Sequence, residues 1–390
     1  MPGQHHSWAR NDVDDPRLAS ICRQPLNYQA ESQTLAPILE HVAVCLQPYN
    51  EGPITSEAKE RPQLVYRAFG DGRQTIRGGH VIRMAWMLAF SMAMATYPLN
   101  VAKAQDLAPR AYVITPLRSN AIIVSEAYFN GNVLFNGTAP ISDATGTYNV
   151  QIATYYHGFN FFGRSANVAL SLPYGVGTFQ GDVAGTHEQV YRSGLLDFNG
   201  RLAVNLRGGP SMTARQMMKW KQKTLLGVSL RVVAPTGQYD PDKLVNWGAN
   251  RWGFKPEFGY SERWGHWLLD GYAGAWFFTT NPEYYSIPAP APETQNPIGS
   301  FEGHLSYDVR PRFWVSLDGN LWFGGVVTVN GVENTDTRQL GSHLGATASF
   351  PITRHGALKI GYNNADYSQF GGAYQNISVA WQYSWLGHPR

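Results

Sequence analysis

The feature that most restricts this chain is a two-residue alternation of apolar and polar side chains. It recurs from Ala121 to the end in pieces of about ten residues, the length a tilted strand needs to cross a bilayer. In the last piece one face carries Ile377, Val379, Trp381, Tyr383 and Trp385, and the other Asn376, Ser378, Ala380, Gln382 and Ser384. Phe301, Leu305, Tyr307 and Val309 likewise oppose Glu302, His304, Ser306, Asp308 and Arg310. The spacing predicts twelve strands: 121–129, 148–157, 166–174, 195–207, 223–234, 252–261, 266–278, 300–309, 313–324, 338–350, 356–367 and 374–385. An even number of such strands predicts an all-β protein, a 12-stranded antiparallel transmembrane barrel of the outer-membrane kind.

Connection lengths support that expectation. Odd-numbered connections run 18, 20, 17, 21, 13 and 6 residues and even-numbered ones 8, 15, 4, 3 and 5, as short periplasmic turns and long external loops should alternate. Both termini then lie in the periplasm. The exception, 208–222, contains SMTARQMMKWKQ and reads as a short periplasmic helix, while 281–297, with its PAPAPE stretch, reads as an extended external loop. A soluble β-sandwich would alternate too, but its oily side would be a packed core of Val, Leu and Ile. Here Trp252, Trp264, Trp267, Trp276, Trp314, Trp322, Trp381, Tyr383 and Trp385 lie near predicted strand ends, as in the aromatic girdles of a membrane barrel.

Composition excludes other classes. Charged residues are 15% of the chain, against about 25% in soluble domains. With 31 Lys+Arg and 28 Asp+Glu the formal charge is +3, evenly spread, so no nucleic-acid partner is expected. Aromatics at 13%, 40 Gly and 24 Pro favour strands and turns over helical bundles.

Met84 to Ala102 is free of charge, follows Arg77 and Arg83, and ends at Ala102-Lys103-Ala104. A positive flank, an apolar centre and an A-x-A site predict a secretory signal peptide over 81–104, in preference to a short buried helix. Residues 1–80 are then expected to be a disordered or misannotated extension, with translation starting near Val81 or Met84. Both cysteines, Cys22 and Cys45, lie in that extension, so no disulfide framework is expected in the exported chain. Residues 105–120 are expected to be a periplasmic segment and 121–386 the barrel, placed in the outer membrane by the barrel-assembly machinery.

The polar faces define a candidate lumen lining. Asp197, Glu257, Asp270, Glu302, Asp308 and Asp318 meet Arg201, Arg207, Arg231, Lys255, Arg310 and Lys359, with His304 among them. Balanced charge predicts paired side chains rather than a ring of one sign, hence no strong ion selectivity. A barrel lipid hydrolase would need Ser and His together on the lipid face, but His304, Ser306, Ser316 and His343 all point inward in this layout. No catalytic set, metal site or cofactor is predicted. Gly175-Val176-Gly177 lacks the third glycine of a dinucleotide loop and reads as a turn leaving a strand.

The segment 234–259, APTGQYDPDKLVNWGANRWGFKPEFG, resembles the signature of the phenol meta-pathway transporter family of outer-membrane barrels. Gly163-Arg164-Ser165-Ala166, Gly274 to Phe278 followed by Asn281, Gly324-Gly325 and Trp381 to Trp385 fit the same pattern in order, so the resemblance covers roughly 110–386. It implies passive uptake of small hydrophobic or aromatic compounds, with a general diffusion porin and a lipid hydrolase as the alternatives. Pro235, Gly237 and Pro241 suit turns, and Asp240 and Asp242 suit their caps, so the motif reads as a loop folded over the barrel mouth. Trp247 and Trp252, for stacking on a ring, and Asn250 and Arg251, for hydrogen bonding, are the candidate substrate-binding residues.

Overall fold

A computed structural model describes residues 107–134, 141–183, 185–368 and 371–387. The expected extension and signal peptide lie outside the described residues, as do Cys22 and Cys45. The strands are β1 Ser119–Leu134, β2 Ile141–Phe161, β3 Arg164–Val183, β4 Thr186–Leu195, β5 Phe198–Arg207, β6 Thr224–Ala234, β7 Gly253–Trp264 and β8 Trp267–Phe278. They continue with β9 Asn281–Tyr284, β10 Ala291–Gln295, β11 Ile298–Arg310, β12 Phe313–Gly324, β13 Val327–Val329, β14 Val332–Asn334, β15 Gln339–Pro351, β16 Gly356–Ser368 and β17 Gly371–Leu386.

Antiparallel neighbours run β1-β2-β3-β5-β6-β7-β8-β11-β12-β15-β16-β17. Pairing of Ser119 with Leu386 through Leu134 with Gly371 returns β17 to β1 and closes a 12-stranded barrel. Strands β4 and β5 share one staff, because both pair with β3, on either side of a break at Leu196-Asp197. Hydrogen-bonded closure leaves no sheet edge, the condition for a strand protein to sit in hydrocarbon.

The barrel is polar inside and apolar outside. Ile122, Val124, Leu172, Leu202, Phe258, Phe301, Leu317, Leu344, Ile360, Ile377 and Val379 are exposed, whereas Asn167, Asn205, Ser261, Asp270, His304, Ser316, Asp318 and Asn376 are buried. That is the inverse of a soluble core, and it gives the outer face to acyl chains.

Three expectations are corrected. The first two outer connections are continued strand rather than loop, because pairing of β1 with β2 and of β3 with β4 runs on to Asn132–Thr145 and Val183–Thr186. Backbone pairing does not need the bilayer, so a strand outlasts the stretch that the lipid fixes. Gly175 and Gly177 accordingly lie within β3. The 281–297 stretch folds as β9 and β10, which join β13 and β14 in a separate four-stranded sheet at the outer end. Trp276, Trp314 and Trp322 are not girdle residues: register puts them opposite Ile298, Asp308 and Ser300, on the bore face.

The inner turns are tight. Phe162 and Gly163, at φ 48° and 81°, form the two-residue connection of β2 to β3, with the paired positive φ that matches strand twist. In the long exception after β5 only one turn, α1 Ala214–Met217, is helical, held by a capping box between Thr213 and Gln216.

Candidate functional site

The bore is filled from both ends. Residues 107–118, expected as a periplasmic segment, reach inside the barrel, because their polar groups find partners on its inner wall. Backbone N–H groups of Arg110 and Ala111 donate to Asp270 Oδ2 at 3.2 Å and to the Tyr272 hydroxyl at 3.0 Å. The Tyr112 hydroxyl donates to Glu257 Oε1 at 3.0 Å and sits 3.0 Å from Ser229 Oγ. Its ring packs edge-on against Tyr272 at 5.1 Å, with the Arg201 guanidinium 4.8 Å over the ring centre. A Cβ on Gly227 or Gly259 would stand 2.4 or 2.2 Å from that ring, so the two glycines form its seat. The N–H of Leu117 then donates to Met212 O at 2.7 Å, tying the segment to the long inner turn.

Around this plug the wall charges are paired. Lys255 Nζ lies 2.8 Å from Glu257 on its own strand and, reaching over β8, 2.9 Å from Glu302 on β11, and His304 Nδ1 lies 2.9 Å from Asp318. Ser316 and Thr347 donate to the other oxygen of Asp318 at 3.1 and 2.7 Å. Arg201 approaches Glu257 at 3.6 Å, and Ser261 bonds Asp270. Asp308 takes Arg263 and also Arg110 of the plug, the latter at 2.7 Å. Neither Arg263 nor Arg110 was expected from the sequence. Arg263 lies on the inward face next to a turn, and Arg110 belongs to a segment with no strand pattern. Arg110 also covers Trp314 at 4.4 Å.

Three expected wall residues sit elsewhere or act differently. Arg207 and Arg310 follow register shifts after Asn205 and Asp308 and are exposed at the periplasmic rim, since a bulge inverts the facing of whatever follows it. Asp197 falls in the break between β4 and β5, where its two oxygens accept the N–H groups of Gly237 and Ala249, both at 2.8 Å. One carboxylate thus pins both arms of the outer loop 235–252. Arg231 shares the inner face with Arg201, its register partner. Lys359 pairs in register with the inward-facing Ala380 but is itself exposed.

That loop carries the family-like motif and closes the outer end. The Asn246 amide donates to Asp240 O and Lys243 O at 2.9 and 2.7 Å and accepts from the Asp240 N–H at 2.9 Å, which shapes the turn. The Lys243 ammonium bound to it holds the Asp240 carboxyl below its ordinary value. Gly248 N–H donates to Gln238 O at 2.9 Å and draws the two arms together. The loop tip sends Trp247 inward, against Gly175, where a Cβ would stand 2.8 Å from the indole.

Trp247 completes a cluster of five rings. It meets Tyr148 at 5.8 Å and Phe179 at 5.9 Å. Tyr148 in turn stacks on Phe129 at 4.7 Å and meets Tyr374 edge-on at 5.6 Å. The indole Nε1 is buried without a hydrogen-bond partner. Tyr148, Phe129 and Phe179 were not expected in the site, because the strands carrying them had been ended or begun at about these positions. The alternation already turns Phe129 and Tyr148 inward at the strand ends, and following it beyond 174 adds Phe179.

The other candidate residues do not join this cluster. Trp252 is exposed and stacks on Phe254 at 6.2 Å, on the outer face, since β7 turns Gly253 and Lys255 inward. Arg251 is spent on a clamp: it pairs with Glu293 at 3.2 Å, donates to Gln295 at 2.6 Å and covers Phe278 at 4.6 Å. Asn250 donates to Asn281 Oδ1 at 3.0 Å. Both fasten the loop to the outer four-stranded sheet rather than face the bore.

The family model described as a putative MetA pathway of phenol degradation matches residues 130–378, most of the barrel. This chain belongs to that family. Among solved structures, an outer-membrane channel from Pseudomonas putida F1 is 19% identical with a TM-score of 0.60, covering 72% of this chain and 100% of its own. The transport unit of the Escherichia coli autotransporter AIDA-I is 12% identical with a TM-score of 0.43, covering 77% and 97%. None of the curated proteins compared matches this chain. Family and fold place this member of the phenol-degradation family in the bacterial outer membrane, as a closed barrel in the lipid bilayer.

Proposed function

We propose that this protein is an outer-membrane channel for passive uptake of small hydrophobic or aromatic molecules. The observation that carries the reading is the five-ring cluster at the outer end of the bore, with Trp247 supplied by the outer loop and four rings supplied by the wall. Rings stacked against rings can exchange one partner for an aromatic solute at little loss of contact. The family description, which names phenol degradation, supports the substrate class, and the P. putida structure, named a channel, supports the channel role. A solute captured there passes inward when the 235–252 loop and the 107–118 plug give way.

The geometry speaks against the two alternatives. A general diffusion porin needs a water-filled bore, whereas the plug and the Lys255, Glu257 and Glu302 network occupy this one. A lipid hydrolase needs its serine and histidine where acyl chains arrive, whereas His304, Ser306 and Ser316 are buried on the inner face. Insertion by the barrel-assembly machinery belongs to the same proposal. Proteoliposomes test it: Trp247→Ala should slow uptake of toluene or phenol several-fold while leaving the folded barrel intact. Uptake of sugars as fast as of toluene would favour the porin, and unchanged aromatic flux would remove Trp247 from the path.

A further inference from the structure

Resting on that channel reading, a second site emerges on a different part of the wall, where β12 meets β15. Asn320, Trp322, Gln339 and His343 all face the bore at 5%, 0%, 1% and 1% exposure. Register sets Asn320 opposite His343, Trp322 opposite Gly341 and Gln339 opposite Gly324. A Cβ on Gly341 would stand 1.9 Å from the Trp322 ring, so the indole lies across that glycine, between His343 and Gln339. The Trp322 and His343 rings are 4.9 Å apart at 57°.

Seven polar atoms of these four side chains have no hydrogen-bond partner: both amide atoms of Asn320, both of Gln339, both ring nitrogens of His343, and Trp322 Nε1. Buried polar groups are bonded almost everywhere in native proteins. In this same bore Lys255, Glu257, Asp318, Ser316, Thr347 and Asp270 are all bonded. Unpartnered atoms occur elsewhere on the wall, as at Asn205 Oδ1, Ser306 Oγ and His304 Nε2, but here four neighbouring side chains carry seven of them together, and that cluster defines a recognition surface. It offers donors at Trp322 Nε1 and the two amide nitrogens, and acceptors at the two amide oxygens and a histidine nitrogen. Beside Asn320 stands Glu302, whose Oε2 is also without a hydrogen-bond partner and disfavours an anion there.

We propose that the β12/β15 wall binds a small, neutral, hydroxylated aromatic molecule. One hydroxyl both donates and accepts, which matches mixed donors and acceptors better than an apolar ring or a carboxylate does. The flat body of such a molecule rests on the Trp322 and His343 rings. Because the four side chains are covered, the ligand binds as the packing above them opens.

Equilibrium binding of phenol and of toluene to the purified full chain in detergent tests this, since the two differ by a hydroxyl against a methyl. Phenol should bind at least about tenfold more tightly than toluene, because a site built to bond a hydroxyl rejects the analogue that lacks it. Asn320→Leu with Gln339→Leu removes both amides and keeps the two rings, so phenol should fall several-fold towards the toluene affinity with toluene unchanged. If that pair fails to fold, Trp322→Phe keeps a ring and removes one donor, and phenol should weaken about three- to tenfold with toluene unchanged. Equal affinities in the unaltered protein overturn the proposal, as does a phenol preference that survives the substitutions. Equal binding with aromatic flux intact rejects this site alone. A clear phenol preference without aromatic flux rejects the channel reading and keeps the site.

Discussion

Replacing Tyr112 should unseat the plug, and its contacts allow the effect to be sized. The side chain is 1% exposed, gives one hydrogen bond to the Glu257 carboxylate, and is sandwiched between Tyr272 and the Arg201 guanidinium. Truncating a buried aromatic to alanine costs about 3–5 kcal/mol. Applied to the docking equilibrium of 107–118, that shifts docked against undocked forms on the order of a hundred- to several-thousand-fold. Tyr112→Phe removes only the charge-assisted hydrogen bond, about 1.5–3 kcal/mol, and should shift the same equilibrium about ten- to a hundredfold. Single-channel recording in planar bilayers reads the outcome as open probability, and amide exchange at Arg110 and Ala111 reads docking directly. Tyr112→Ala with amides as protected and currents as closed as in the unaltered protein would refute the idea that this ring anchors the plug.

Three further outcomes follow from the same contacts. Gly259→Leu leaves the plug sequence untouched but fills the seat of Tyr112, so its open probability should rise as in Tyr112→Ala. Asp197→Ala removes the bridge between Gly237 and Ala249. Two bonds to a carboxylate at about 1.5–3 kcal/mol each should be lost, and protease should then cut within 235–252 while the barrel stays folded. Lys255→Met leaves Glu257 and Glu302 facing each other without their shared cation. Loss of one partner from a buried network should destabilise by about 3–5 kcal/mol, seen as a lower midpoint in heat-modified electrophoretic mobility.

Much of the barrel was legible because its governing signal is local. Ile377, Val379 and Trp381 against Asn376, Ser378 and Ala380 is a pattern of period two, and it remains readable wherever the partner strand lies. Strand ends were less legible. The bilayer dictates about ten residues per strand, but β2 runs from Ile141 to Phe161 because pairing with β1 and β3 continues beyond the lipid. Strand β3 likewise runs on to Val183, and that difference hid Phe179 from the predicted site. The tryptophans divided for a related reason. Proximity to a strand end suggested a girdle, while the parity of Trp276, Trp314 and Trp322 with their neighbours put them in the bore. At Arg207 and Arg310 parity itself failed, since a bulge after Asn205 or Asp308 changes the side that the next residue faces.

The order of the residues alone determined the class of structure: alternating strands, short inner turns, an apolar exterior and a loop motif shared with the family. Closure decided everything that depends on residues of different strands and loops meeting one another. Arg110 reaches Asp308, Lys255 reaches Glu302, Trp247 joins a cluster whose other rings come from four separate strands, and Arg251 turns aside to Glu293. These partners are far apart in the chain, and no short-range pattern encodes them. Periodicity tells which way a side chain points, but the curvature and register of a closed sheet set what it finds there.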